Sequence, residues 1–370
     1  MAMETDDEKV ARLREQIPAT AAGIYLDTAY RGPLPAETAA TMTEADEWEL
    51  RVGRATEGRD EDVLQRHDEA RAVLAALIGA DLDAITVTPG IESAANLVER
   101  VLGVSPEQIQ RHVDPSNGEV LLTPESNGPL VLDISMSAGA IPVHVTDWQA
   151  DALILATDRW LLGPENLACV WLRQPVAGIG MSIARTPLLG LARTVGWLEM
   201  YVGLDWIYER GMRLARLLHA RLSDLSGVEV VTPTDAMATI VSFRLSAWPV
   251  EEALAEIRRR SFAIIGQPPD ADLIRASVAW FNTDEEIERD RNEARFMLSF
   301  YGSTPNYAFI WDEAGFEGTT ARIRERQKAG DLAGMQAQIT DAHLDTFTTQ
   351  STWDGLAVGP PEEPIPTTWP

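Results

Sequence analysis

Lysine is the scarcest chemistry-bearing residue in this chain. Of 31 basic residues only Lys9 and Lys328 are lysines, and the rest are arginines. A lysine amine sheds its proton readily when desolvated and can then form a Schiff base; a guanidinium stays charged at any accessible pH and cannot. The five histidines, His67, His112, His144, His219 and His343, are scattered, with no H-E-x-x-H phrase or other metal-ligand spacing, so no metal site is expected. Cys169 is the only cysteine and sits in the apolar run ACVWL, which excludes an intramolecular disulfide and reads as a buried small hydrophobe. Gly178 and Gly180 in AGIGMSIAR give half of a dinucleotide fingerprint; without a third glycine they read as a turn. Neither a Walker loop nor a nucleophile elbow is present.

The elements that must position any site alternate from about residue 24 to 295, with short apolar runs between helical stretches, the pattern of an α/β layered fold. Strands are expected over 85–88, 119–122, 130–134, 152–155 and 168–172, and helices over 42–57 and 61–78, the second with apolar residues from Val63 to Leu77 and a stop at Gly79. A long helical segment follows Pro187 and runs to about Leu225. Next come strand-like runs at 228–231, 238–245 and 273–280, a helix over 251–260, and an acidic helix beginning at Asp284. The expected organisation is a leader over 1–23, a large domain over 24–186, a smaller α+β domain over 187–295, a helical appendage over 296–357 and a tail over 358–370. That tail has five prolines in thirteen residues and reads as disordered.

At 370 residues and 45% hydrophobic composition the chain is long enough for two compact domains. Its net charge of −26 would repel a phosphate backbone or an anionic lipid surface, so neither nucleic acid nor membrane is expected as a partner. The acidic start lacks an apolar core of signal-peptide length and no stretch has 18 uninterrupted apolar residues, which reads as a cytoplasmic protein.

Five phrases stand in one order: IYLDTAYRGPLP from Ile24, ITVTPGIESAANLV from Ile85, LVLDISMSAGAIPVHV from Leu130, DALILATDRWLLGPENLACVWLR from Asp151 and LIRASVAWFNTDEEIER from Leu273. In that order the chain resembles the class V aminotransferases, the cysteine-desulfurase-like branch of the pyridoxal-phosphate enzymes, over roughly three quarters of its length. The resemblance implies a truncated fold type I, a mixed and mostly parallel sheet flanked by helices, with a smaller α+β domain. It also implies a homodimer with the site at the subunit interface. Family members cradle the cofactor phosphate on a loop and helix N-terminus, pair its ring nitrogen with an aspartate, hold it through a lysine, and grip the substrate carboxylate with an arginine. By that resemblance Gly90, Glu92 and Ser93 belong to the phosphate loop, Asp133 is the ring-nitrogen carboxylate and Arg275 the carboxylate-binding arginine. Without it, Asp133 reads as a strand-end carboxylate capping a turn and Arg275 as a surface ion-pair partner.

Three departures set the chain apart. In ATDRWLLGP, Arg159 stands where the family carries its lysine, and neither Lys9 nor Lys328 is placed to substitute. In TPGIESAAN, the family's threonine position falls on Glu92, a carboxylate that would repel phosphate, or with a one-residue slip on Ser93. Only 71 residues separate Thr88 from Arg159, whereas the family needs two further units there of about 30 residues each. With those units go a ring-stacking histidine and an asparagine, and the sheet should be narrow.

The phrase FYGSTPNYAFIWDEAGFEG, with ITDAHLDTF further on, resembles the C-terminal part of luciferase-like, F420-dependent oxidoreductases over about 60 residues. A helical hairpin packed on the first module explains the same letters. The expectation is therefore a degenerate class V aminotransferase-like protein without aldimine catalysis. Covalent cofactor is excluded, non-covalent pyridoxal phosphate is left open, and Arg159 and Arg275 would suit a small carboxylate or phosphorylated ligand. Alternatives are a cofactor-binding aminotransferase or lyase that works without the usual lysine, and a fusion remnant.

Overall fold

The runs ALILA and ACVWL carry no polar residue beyond the single thiol, and both become strands covered on each face. Successive side chains of a strand point to opposite faces, so a strand buried on both sides reads as a continuous apolar run. In β5 (Ala152–Ala156), Leu153 and Leu155 face one helical layer while Ala152 and Ile154 face the other. β6 (Ala168–Leu172) does the same, with Cys169 and Trp171 on the first face and Val170 and Leu172 on the second.

These strands are central to a five-stranded sheet ordered β2-β6-β5-β4-β3, with β2 Ile85–Thr88, β3 Gln110–Arg111 and β4 Val131–Asp133. β3, β4 and β5 pair in parallel and β6 pairs antiparallel with both β5 and β2, so four strands share one direction and β6 alone is reversed. α3 (Arg59–Ile78) and α5 (Arg185–Trp197) bury Ala70, Leu74, Ile78, Leu188, Leu191 and Val195 against the first face. α4 (Ile91–Leu102) buries Ala94, Leu97 and Val98 against the other. Each such fully buried Leu or Val contributes roughly 1.5–3 kcal/mol. The thiol of Cys169 lies wholly inside, and burial pushes it up to about 12, so it is packing and not a nucleophile.

The computed structural model describes residues 4–176, 181–225, 227–246, 248–268, 271–287, 303, 308–340, 342–343 and 346. Gly178 and Gly180, the tail over 358–370 and much of the segment over 296–357 lie outside the described residues. Contacts divide the chain into two units, the first being Met1–Ser223, Glu229–Arg244 and Pro249–Asn282. The second unit is Asp224–Val228, Leu245–Trp248 and Thr283–Pro370, so the first runs through residue 187 without a break. It holds, besides the central sheet, the parallel pair β1 (Ile24–Leu26) and β9 (Ala263–Ile265). β10 (Ile274–Ser277), β8 (Ile240–Leu245) and β7 (Val228–Val230) form a three-stranded sheet in that order.

The N-terminal residues are part of this body. α1 (Asp6–Arg14) opens with a capping box between Thr5 and Glu8, and Leu13 and Ile17 join a core with Trp160, Trp197, Trp280 and Phe281. In the second unit, α7 (Ala308–Glu313), α8 (Thr319–Lys328) and α9 (Leu332–Gln336) surround Trp311, Ile323, Met335 and Ile339, and His343 stacks on Phe316 at 4.0 Å.

Several expected elements shift. The helix expected over 42–57 is α2 (Ala36–Val52): it stops at Gly53, whose φ of +79° suits glycine alone, and starts at Pro35 without a side-chain cap to advertise it. The long helix after Pro187 is broken by a π turn, Leu198–Val202, and by Gly203 before α6 (Leu204–Ser223). The strand expected over 119–122 is reduced to isolated bridges of Glu119 with Met237 and Val120 with Val113.

Candidate functional site

A row of three registered residues crosses one end of the central sheet: Arg111 on β3 faces Asp133 on β4, which faces Ile154 on β5. All three line a cavity of about 350 Å³ in the first unit. Crevices at the carboxyl ends of parallel strands are where α/β sheets ordinarily take ligands. Ile91 and Glu92 reach it from the first turn of α4, Arg159 from the turn after β5, Arg275 from β10, and Tyr30 from the segment after β1. Three arginines against two carboxylates line this space in a protein that carries 57 acids and 31 bases.

Arg275 is 1% exposed and is no surface ion-pair partner. Its Nη2 donates to Asp27 Oδ1 at 3.3 Å and its Nη1 to the Pro115 carbonyl at 3.4 Å, both long, while Nε has no partner among the described residues. Burial pushes the guanidinium below its ordinary range; Asp27 opposes that shift and the nearby Arg159 charge adds to it. Burial likewise pushes the Asp27 carboxyl above the usual carboxylate range, against the pull of Arg275. The Asp27 seat requires Gly266, because a Cβ there would lie 2.8 Å from Asp27 Cγ. Gly266 also exchanges two backbone hydrogen bonds with Arg275.

Arg159 is set by a tight turn. The Gly163 amide returns to the Thr157 carbonyl at 2.8 Å, and Leu162 adopts a φ of +53°. The segment after β1 closes over it: Gly32 N–H donates to the Asp158 carbonyl at 2.7 Å and Arg31 pairs with Asp158 at 2.8 Å. Gly32 has no alternative, since a Cβ would fall on the Arg159 carbonyl oxygen and lie 2.6 Å from Leu162 Cδ2. The guanidinium of Arg159, like that of Arg111, forms no ion pair among the described residues.

The expected phosphate-loop residues are distributed unevenly. Glu92 lines the cavity; Ser93 and Gly90 do not, although Gly90 caps α4 with a φ of +85°. Asp133 both lines the cavity and caps a turn, accepting a hydrogen bond from Ser135 N–H at 2.9 Å. Sequence reading missed Arg111 and Tyr30 because β3 has only two residues and shows no periodicity, and because nothing in IYLDTAY marks which side chain faces inward. It also left His112 unassigned. That imidazole is buried beside Arg111, shares a 2.8 Å hydrogen bond with Ser137 Oγ, and meets Trp148 edge-on at 4.5 Å.

No protein-family model matches the chain, and no curated protein matches it either. Solved structures do match. One is a lysine-to-alanine mutant of C-DES with glycine covalently linked to its pyridoxal-phosphate cofactor, at 16% identity and a TM-score of 0.67 over 75% of this chain and 97% of that one. Another is the apo cysteine desulfurase of Thermococcus onnurineus NA1, at 18% identity and a TM-score of 0.62 over 76% of this chain and 96% of that one. The cysteine desulfurase CsdA of Escherichia coli matches at 15% identity and a TM-score of 0.62 over 76% of this chain and 98% of that one. The chain thus has the pyridoxal-phosphate transferase fold of type I, a mostly parallel sheet flanked by helices. No described helix is long and apolar enough to cross a membrane.

No lysine is among the residues that line the cavity. Lys9 Nζ donates to the Val202 carbonyl at 2.8 Å and sits 4.0 Å over the Trp206 ring, and Lys328 belongs to α8; neither lines the cavity. Glu92 places a carboxylate at the helix N-terminus, where a cofactor phosphate would otherwise be drawn.

Proposed function

We propose that this protein is a relative of the class V aminotransferases without the Schiff-base lysine, which binds a small carboxylate or phosphorylated ligand non-covalently and carries out no aldimine chemistry. One observation carries the reading: Arg159, and no lysine, lines the cavity beside Arg275. A guanidinium cannot act as the Schiff-base amine, yet it is well suited to bidentate contacts with carboxylate or phosphate. Arg275, buried and held by two long hydrogen bonds, has donor capacity left for an anion. Homodimerisation belongs to the same proposal, with Tyr30, 60% exposed, as a side chain that a second copy would cover.

A second reading has its own support. The C-DES neighbour is a lysine-to-alanine mutant with glycine covalently linked to its cofactor. On that precedent, a chain of this fold without a lysine in the cavity holds pyridoxal phosphate together with an amino compound.

Titrating the protein with pyridoxal phosphate, with visible absorbance and thermal shift read together, separates the two, beside an Arg159→Lys variant. The expected result is a thermal shift without an aldimine band in the wild type, and a band in the variant. A band in the wild type on adding pyridoxal phosphate alone would sink the first reading. A band only when an amino acid is added would favour the second.

A further inference from the structure

Resting on the anion-binding reading, the geometry points to a ligand with two separated anionic groups, one held by Arg159 and Arg275 and the other by Arg111. Arg159 and Arg275 form one pole: both line the cavity from the side away from Arg111's strand, and guanidinium groups are suited to bidentate contacts with carboxylate or phosphate. Arg275 is almost wholly buried, and its Nη1 and Nη2 make only long contacts at 3.4 and 3.3 Å, so this pole has a built, under-satisfied donor set.

Arg111 is a second pole. It is exposed, forms no ion pair among the described residues, and lines the cavity from β3, whereas Arg159 lines it from the turn after β5 and Arg275 from β10. The sheet register gives the spacing. Arg111, Asp133 and Ile154 stand on three adjacent strands, and Arg159 follows beyond the end of Ile154's strand. Adjacent strands lie about 4.8 Å apart, so Arg111 stands about 10 Å across the sheet from Ile154, on whose strand the chain leads out to Arg159. Asp133 stands between them, which disfavours one anion sliding across to both. Met136 and Ile154 offer apolar surface for a hydrocarbon spacer.

The test is calorimetric titration of the full chain with a monocarboxylate, with inorganic phosphate and with straight-chain α,ω-dicarboxylates of increasing length, on the wild type, Arg111→Gln and Arg111→Lys. One dicarboxylate length should bind on the order of tenfold or more tighter than the monocarboxylate, as one added charge-assisted contact implies. That advantage should collapse in Arg111→Gln and be partly kept in Arg111→Lys, with thermal unfolding showing both variants folded. Equal affinities for mono- and dicarboxylates, or an advantage untouched by Arg111→Gln, would overturn the two-pole inference while leaving single-anion binding in place. Absence of binding by every anion would remove the underlying reading as well.

Discussion

Burial decides the chemistry of single residues around the cavity more than neighbouring charge does. Arg275 and Asp27 are an ion pair, yet desolvation is the leading influence on each, pushing one down and the other up. His112 is the clearest case. Burial lowers its imidazole to about 4, against an ordinary 6.5, with only Asp147 pulling the other way. A histidine that is neutral when folded stabilises the protein fully above pH 6.5, and that contribution is lost as pH falls toward 4, because the unfolded chain takes up the proton first. Between neutral pH and about pH 4.5 this group alone should remove about 2 kcal/mol. Urea unfolding at those two values, on wild type and on His112→Gln, checks it: the variant should lose less stability on acidification. Parallel losses would assign the acid sensitivity to other groups. Among single residues, the presence of Asp133 and Arg275 on the cavity wall was legible, because each sits in a recognisable phrase, whatever its role there. Arg111 was not, since a two-residue strand carries no pattern and its importance comes only from registry with Asp133.

At the scale of elements, the sequence is most readable where both faces of a strand are buried. β2 and β6 fall where the apolar runs put them, residue for residue, and β5 differs by one. β1 and β9 have three residues each and exist through each other, which no local pattern can announce. The N-terminal residues show the same limit from the other side. Their acidic composition suggests a leader, and mean polarity hides the two side chains that matter, Leu13 at 1% and Ile17 at 0% exposure. Polar contacts fix the same helix, with Asp6 pairing to the buried Arg210 at 2.8 Å while Arg210 Nε donates to the Trp280 carbonyl at 2.8 Å. Leu13→Ala should therefore cost about 2–4 kcal/mol, the range for a leucine truncated inside a core. Denaturant unfolding measures it directly. A loss below about 0.5 kcal/mol, as for a surface change, would mean α1 is a dispensable appendage.

For the whole molecule, the charge balance sets a global field against a local one. A net charge of −26 repels any small anion approaching from a distance, whereas the cavity wall offers three arginines against two carboxylates. Which field an approaching ligand feels depends on screening, since the Debye length is about 30 Å at 0.01 M salt and about 8 Å at 0.15 M. At low salt the ligand meets the charge of the entire protein before it meets the arginines. At about 0.15 M only groups within a few ångströms of the cavity still act on it. The association rate of a small dicarboxylate should therefore rise as salt is added, the reverse of ordinary electrostatic steering, in which screening slows encounter. Affinity should follow the rate upward at first and then decline at higher salt, once the arginine contacts are themselves screened. Stopped-flow association over that range of ionic strength distinguishes the fields: a rate that falls monotonically from the lowest salt would show that the arginine cluster outreaches the acidic surface. The same screening bears on stability, because self-repulsion among 57 acids opposes the compact state. A rise in melting temperature that tracks the rise in association rate would place both under the one global field.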